Sequence, residues 1–307
     1  MGFLRKHGRW LFLLGGLLAL VFIIRDIGLE QVLAAVRQTS ALFHWILLLE
    51  VLWISFDTLA LRALYGEAAS RVPLREWLRS ACSAYAIMIL LPAGRAGGEV
   101  ARGALLYKHA GTGAVDKSTQ LQAAVLIANA VISVPAALAV GAYVGWTHSL
   151  TLLVLGNGLV TLGIGVGIIL VLRRSRLGAW LQKRFGLAKG IEERVASGPL
   201  LRALAFTSTG RVVQTLQYAV ILWAVGGELG LQPGLITQGV HLVGAGLGDF
   251  VPNAVGITEG AYRLFAAPLG LGEAPERAVA IALVARLAQF CLAFACLMTG
   301  PLLRPRS

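Results

Sequence analysis

Charge is what this sequence lacks most. Only 14% of its 307 residues are charged, whereas 57% are hydrophobic, and the mean hydropathy is +0.75. A soluble domain carries about 25% charged residues, so this chain has too little charge to cover a surface in water. Several apolar stretches approach the roughly 20 residues that cross a bilayer as a helix. The composition therefore predicts an all-α polytopic membrane protein, with one transmembrane domain over residues 1–307.

Acidic residues, cysteine and histidine are also scarce, and each scarcity excludes a class of site. The net charge is +12, but the basic residues flank apolar runs as the positive-inside rule requires, so nucleic acid is not an expected partner. Cys82, Cys291 and Cys296 lack zinc-type or redox-type spacing, and His241 and Asp249 alone cannot hold a metal. We expect no metal and no cofactor. Without a G-x-x-x-x-G-K-[ST] motif, ATP is not the direct drive.

Six segments are long and apolar enough to be full spans: 9–26, 41–62, 119–143, 149–172, 203–225 and 278–300. The first has no small-residue cleavage site, so it is expected as an uncleaved span. Eight Lys and Arg residues between 173 and 202 predict a cytoplasmic loop, and the connection 144–148, with none, is expected outside. The same rule predicts a multi-pass protein of the cell (inner) membrane with both termini in the cytoplasm.

Two further segments, 80–93 and 235–251, are shorter or interrupted by glycine. Basic residues on both sides of the first predict that its flanks are cytoplasmic, so it must enter the bilayer and return. The second begins and ends outside by the same count, either as a re-entrant hairpin or as two short spans. Non-helical backbone at membrane depth is tolerated only where protein or a wet cavity receives its polar groups. Both segments are therefore predicted to form a site.

The chain divides into two similar halves, 1–143 and 149–300, each with two spans, a re-entrant hairpin and a final span. Three crossings per half give opposite orientations, which is the inverted-repeat plan of many transporters. In both breaks a proline follows two apolar residues, and a glutamate follows seven positions later. Proline would end the incoming helix and glycine would permit a tight reversal. The predicted structural breaks are Pro92, Gly97, Gly98, Pro252, Gly256 and Gly260.

At these residues the sequence resembles the flippase-like transmembrane family, the membrane domain of lysylphosphatidylglycerol synthases. The resemblance rests on residues 92–102, residues 252–260 and an amphipathic segment at 27–36. It implies movement of aminoacylated or glycosylated lipids between leaflets, or a role in polyprenyl-linked sugar or hopanoid pathways. No stretch resembles a soluble aminoacyl-transferase domain, so synthase activity is not implied. Residues 253–255 depart from the more glycine-rich stretch expected there.

Arg95, Glu99 and Arg102 share one face of the helix expected after the first break. As a site, the two guanidinium groups would grip phosphate oxygens together with backbone N–H groups at the helix start. The alternative is an Arg95–Glu99 ion pair that neutralises itself. Glu259 and Arg263 repeat the four-residue spacing. There, Glu259 would bind a cationic aminoacyl group, carry a proton or simply cap a helix.

Four charged residues lie inside predicted spans: Arg211, Arg286, Glu50 and Asp57. Each such charge is costly in a bilayer, so we expect pairing across the bundle, and the same residues are candidates to line a substrate path. Two GxxxG pairs predict close helix packing: Gly141 and Gly145, Gly163 and Gly167.

The leading hypothesis is a flippase-like membrane lipid translocase, or a lipid-site protein, that handles a phosphate-headgroup lipid. One alternative is an integral-membrane lipid-phosphate enzyme such as a polyprenyl-pyrophosphate phosphatase. That enzyme would need a nucleophile, and only Thr258 adjoins a candidate residue. Another is a non-transporting partner of a lipid-modifying enzyme. The residues favour transport or binding over catalysis.

Overall fold

A computed structural model describes residues 21, 25, 29–90, 94–110, 114–173, 197–248 and 254–299, and every regular element in these ranges is helical. This confirms the all-α prediction, while the predicted first span, 9–26, lies almost wholly outside the described residues. The helices are α1 Leu29–Gln38, α2 Phe43–Tyr65, α3 Leu74–Leu90, α4 Gly94–Ala110, α5 Ala114–Val144, α6 Ser149–Arg173, α7 Ser197–Ala224, α8 Leu231–Gly248, α9 Ile257–Leu264 and α10 Pro275–Thr299.

Four of the described helical stretches are long and apolar enough to cross a membrane: Val36–Arg71, Asp116–Val144, Ser149–Leu172 and Pro275–Thr299. They coincide with four of the predicted spans, so the protein is a multi-pass membrane protein. Helix α7 covers the predicted span 203–225 with 28 residues, but polar side chains lower its hydropathy. These side chains are buried: Thr207, Arg211, Gln214, Thr215 and Gln217. Its polarity therefore faces protein rather than lipid.

Both predicted interruptions of the helices are present. Helix α3 ends at Leu90 and α4 begins at Gly94, and α8 ends at Gly248 before α9 begins at Ile257. Helix α3 packs along α4, and α8 packs along α9. The first interrupted segment is longer than predicted, because α3 begins at Leu74 rather than near residue 80. Pro92 and Pro252 lie outside the described residues.

The glycines near the breaks do not all serve the predicted purpose. Gly97 and Gly98 lie inside α4 rather than in a reversal. A Cβ at Gly98 would lie 2.6 Å from the carbonyl oxygen of Ala84, so this glycine allows α4 to approach α3 closely. Gly256 has the predicted role, since its φ of +80° places it in the left-handed region just before α9. Gly260 lies within α9.

Close packing of α5 against α6 does occur, but through glycines other than Gly163 and Gly167. In the other predicted pair, a Cβ at Gly141 would lie 2.6 Å from Cε3 of Trp146, whereas one at Gly145 would have no atom within 4 Å. A Cβ at Gly158 would lie 2.8 Å from the Cβ of Ser133, and one at Gly165 would lie 2.8 Å from Cγ1 of Ile127. Gly163 and Gly167 have no atom within 4 Å of such a Cβ. Residues two apart point to nearly opposite sides of a helix, so the motif's spacing did not reveal which side faces the neighbour.

Both interrupted segments, α3–α4 and α8–α9, pack against the long helices in the middle of the bundle. Helix α2 packs along α7, and α5 contacts both of them. Helix α3 lies on α10, and α8 lies on α5. The amphipathic segment predicted from the sequence forms α1, which also packs against α10. Residues of α2, α3, α4, α7, α9 and α10 therefore meet inside the bundle, and the polar side chains of these helices form the candidate site.

Candidate functional site

The second break contains a buried ion pair between α9 and α10. Glu259 is completely buried, and its Oε1 accepts from Arg286, with Nη2 at 2.8 Å and Nε at 3.1 Å. Its Oε2 accepts from the backbone N–H of Gly256 at 2.8 Å, so Glu259 also caps α9. The capping alternative is thus confirmed. The ion pair joins α9 to α10. Arg263, four residues after Glu259, is half-buried one turn further along α9.

The first break contains the corresponding charges on α4. Nη1 of Arg102 lies 3.6 Å from Oε1 of Glu99, and only 8% and 14% of the two side chains are exposed. Glu99 therefore contacts Arg102, three residues later, which the Arg95–Glu99 alternative did not include. Arg95 belongs to the first turn of α4, and its side chain lies outside what the structure describes. A distance of 3.6 Å is too long for a hydrogen bond, so N–H groups of Arg102 can still donate to a ligand.

A small cavity separates α4 from α2 and α3, and polar atoms line it. Trp53, Asp57, Tyr85, Glu99 and Arg102 border its volume of about 20 Å³, which is room for roughly one water molecule. We call the cavity that these five residues line the α2–α4 cavity. Among the described residues, the buried atoms at this cavity that have no hydrogen-bond partner include Trp53 Nε1, Asp57 Oδ1, Arg102 Nε and Arg102 Nη1. Buried polar atoms are nearly always paired, so their concentration here marks a candidate binding site.

Trp53 connects this cavity to the charge on α7. The guanidinium of Arg211 lies 5.3 Å from the centre of the Trp53 ring, within cation–π distance. Arg211 is also buried and donates from Nη1 to Oε1 of Gln214 at 2.7 Å, and Gln238 donates to the same oxygen at 3.3 Å. The guanidinium of Arg211, the charge predicted inside this span, therefore contacts the face of Trp53 and the side-chain amide of Gln214.

Glu50 is held by hydroxyl and amide donors. The hydroxyl of Tyr85 donates to Oε1 at 2.7 Å, and Nε2 of Gln217 donates to Oε2 at 2.8 Å. Glu50 interacts electrostatically with Arg211 and Asp57, but its hydrogen bonds go to these neutral groups. Arg286 is thus paired across the bundle, but with Glu259, which was not among the four charges expected to pair with one another. Glu50 is stabilised by hydrogen bonds from neutral groups instead.

Tyr218 lies between the two breaks. Its hydroxyl is 2.7 Å from Nδ1 of His241, and it interacts electrostatically with Glu50, Arg211 and Arg286. The polar groups of both halves therefore belong to one buried region. Sequence reasoning missed Trp53, Tyr85 and Tyr218, although Trp53 is one turn from Asp57 on α2 and could have been found by that spacing.

His241 thus pairs with a tyrosine. Asp249, the other residue considered with it, lies outside the described residues. Within the described ranges, no three His, Cys, Asp or Glu side chains come together in a way that could hold a metal ion.

Comparisons with known proteins identify the family. Neither the curated proteins nor the solved structures contain a match to this chain. The family model described as "Lysylphosphatidylglycerol synthase TM region" matches residues 9–296, a range that includes both interrupted segments and all the buried charges above. That match confirms the resemblance carried by residues 92–102 and 252–260 and indicates a lipid-related function in the membrane. The chain belongs to the lysylphosphatidylglycerol synthase transmembrane region family.

Proposed function

We propose that this protein translocates a lipid with a phosphate headgroup between the leaflets of the cell (inner) membrane. The headgroup would follow the buried polar region while the acyl chains stay in the bilayer. The observation that carries the proposal is the concentration of buried charge at both helix interruptions, with Arg102 beside one and Arg286 beside the other. Intramembrane charges are costly and commonly line substrate paths.

The packing of the helices supports an inverted repeat. If α2, α3–α4 and α5 of the first half correspond to α7, α8–α9 and α10 of the second, the contact of α3 with α10 is equivalent to that of α8 with α5. Both contacts are present, and the equivalent helices α2 and α7 pack on each other. In this arrangement the hairpins are re-entrant from opposite leaflets, and both termini lie in the cytoplasm.

The headgroup site is proposed to use the cations of both halves. Arg102 has two donor atoms without a hydrogen-bond partner in the described part of the chain, and a phosphate accepts from guanidinium groups strongly. Arg211 and Arg286 would continue the path on α7 and α10. Arg95, on the first turn of α4, and Arg263, on α9, remain proposed from their spacing to Glu99 and Glu259. A lipid-modifying enzyme that supplies the headgroup is the proposed partner.

Reconstituted vesicles test the function directly. Lipids labelled on an acyl chain are placed in both leaflets, and dithionite added outside bleaches only the outer pool. Wild-type protein should accelerate loss of the inner pool, and Arg102→Ala should slow it at least tenfold because the phosphate loses its cation.

Arg71→Ala is the matched control, since Arg71 is exposed at the end of a 3₁₀ helix and does not line the cavity. It should leave the rate unchanged. Equal bleaching in protein-containing and protein-free vesicles would refute translocation, and wild-type rates from Arg102→Ala would remove the headgroup site.

A further inference from the structure

We infer that the α2–α4 cavity selects a headgroup that carries a phosphate and a primary ammonium together. The inference rests on the proposed function, because it takes a lipid headgroup as the molecule that enters. It comes from the chemistry of the atoms left without partners, which are donors at one place in the cavity and an acceptor at another.

The donors are three N–H groups. Nε and Nη1 of Arg102 and Nε1 of Trp53 are buried and have no hydrogen-bond acceptor among the described residues, since the carboxylate of Glu99 lies 3.6 Å from Nη1, beyond hydrogen-bond distance. The Arg102 side chain is 8% exposed, so bulk water does not compensate for a missing acceptor. One cationic donor group beside a neutral indole N–H is complementary to the oxygens of a singly charged phosphate diester.

The acceptor is Oδ1 of Asp57. This oxygen is buried at the same cavity, and it has no donor in the part of the chain that the structure describes. Asp57 also interacts electrostatically with Glu50, another carboxylate, which makes a cation beside Asp57 more favourable still. A carboxylate oxygen can only accept hydrogen bonds, and its best partner is a cationic group that carries N–H bonds.

The spacing of the two parts fits a short headgroup. Trp53 and Asp57 are four residues apart on α2, so they are neighbours on one helix face, with Cβ atoms roughly 5–6 Å apart. A phosphate and an ammonium joined by a two-carbon link would reach both residues. The cavity of about 20 Å³ is smaller than such a headgroup, so entry requires α4 to separate from α2.

The same groups disfavour other common headgroups. Phosphatidylglycerol brings a negative charge with only neutral hydroxyls to offer Asp57. Phosphatidylcholine is zwitterionic, but its quaternary ammonium has no N–H to donate. Phosphatidylethanolamine satisfies both ends, and charge-assisted hydrogen bonds are about twice as strong as neutral ones.

The translocation assay tests this selectivity with the three lipids labelled on an acyl chain. Phosphatidylethanolamine should move at least tenfold faster than phosphatidylglycerol or phosphatidylcholine. Asp57→Asn keeps the size of the side chain but removes its charge, so the ratio of ethanolamine to glycerol lipid should fall close to one. Arg71→Ala should preserve the wild-type ratio. Equal rates for the three lipids in wild-type protein would overturn the inference while leaving translocation intact.

A binding measurement on wild-type protein covers the case in which no lipid moves or Asp57→Asn does not fold. The melting temperature in detergent is measured with each lipid and with soluble phosphoethanolamine. Phosphatidylethanolamine should raise it by several degrees more than the other two lipids do, and this result would support the selectivity even if the translocation assay failed. Equal stabilisation by all three would refute it. Stabilisation by phosphoethanolamine without any by the lipid would overturn the assignment to a membrane lipid.

Discussion

At the scale of single residues, the molecule treats its buried charges in two ways. Glu259 and Arg286 form a complete pair in which both carboxylate oxygens are hydrogen-bonded. Arg102 has donors without acceptors at a cavity within the described part of the chain. The first arrangement stabilises the link between α9 and α10, whereas the second leaves interactions that a ligand can complete. The two breaks are thus similar in sequence but differ in their hydrogen bonding: the charged groups at the second break are paired, whereas Arg102 at the first has donor atoms without an acceptor among the described residues.

Glu259→Gln should destabilise the protein markedly. The amide oxygen can still accept from Gly256, but Arg286, whose side chain is 14% exposed, loses its carboxylate partner. Loss of one partner from a buried pair costs about 3–5 kcal/mol. Thermal unfolding in detergent measures the effect, with Glu228→Gln as a control at a surface turn that should unfold like wild type. Combining Glu259→Gln with Arg286→Met should recover part of the loss, because the pair is coupled. Additive losses would show that the two residues act separately.

At the scale of the helices, close approach within the first hairpin depends on one glycine. In α4, Gly98 faces the carbonyl oxygen of Ala84 and the Cβ of Met88 on α3, which lie 2.6 and 3.2 Å from the place that a Cβ would occupy. The backbone oxygen cannot swing aside as a flexible side chain would. The distance between α3 and α4, and with it the position of Glu99 and Arg102, is therefore set at this point.

Gly98→Ala should push α4 away from α3, lower the melting temperature and slow translocation. Gly163→Ala on α6 is the matched control, because nothing lies within 4 Å of the added methyl group. Alanine is favoured over glycine inside a helix by roughly 0.5–1 kcal/mol, so this control should be neutral or slightly stabilising. The same behaviour from both variants would contradict the packing described for Gly98.

At the scale of the whole molecule, the proposed inverted repeat fixes which loops lie on which side of the membrane. A re-entrant hairpin of α3 and α4 leaves the residues before α3 and after α4 on one side of the membrane. The turn between α5 and α6 then lies on the other side. This arrangement would let the two hairpins open toward different leaflets.

Single-cysteine labelling tests that topology in a variant without Cys82, Cys291 and Cys296. Arg71→Cys and Tyr107→Cys, both at exposed positions, should react with a membrane-impermeant maleimide only from the cytoplasmic side. Trp146→Cys, exposed in the α5–α6 turn, should react only from outside. Labelling of positions 71 and 107 from opposite sides would mean that the segment crosses the bilayer.

Much of the architecture could be predicted from residues alone, because membrane helices follow from length, apolarity and basic flanks. Four spans, the interruptions after residues 90 and 248 and the cap at Glu259 were accessible in this way. The roles of the glycines could not be predicted, since the spacing of glycines along a helix does not show which side of the helix faces a neighbouring helix. Gly98 and Gly165 contact other helices for reasons that no local pattern contains.

The sequence by itself determined that the chain folds in a membrane and where its helices break, since both follow from solvation of the backbone and of apolar side chains. Tertiary structure alone decided the partners of the buried charges. Glu259 meets Arg286 across 27 positions of the chain, and Tyr85 reaches Glu50 across 35. In a low-dielectric interior each charge must find hydrogen-bonding groups wherever the packing of distant helices supplies them.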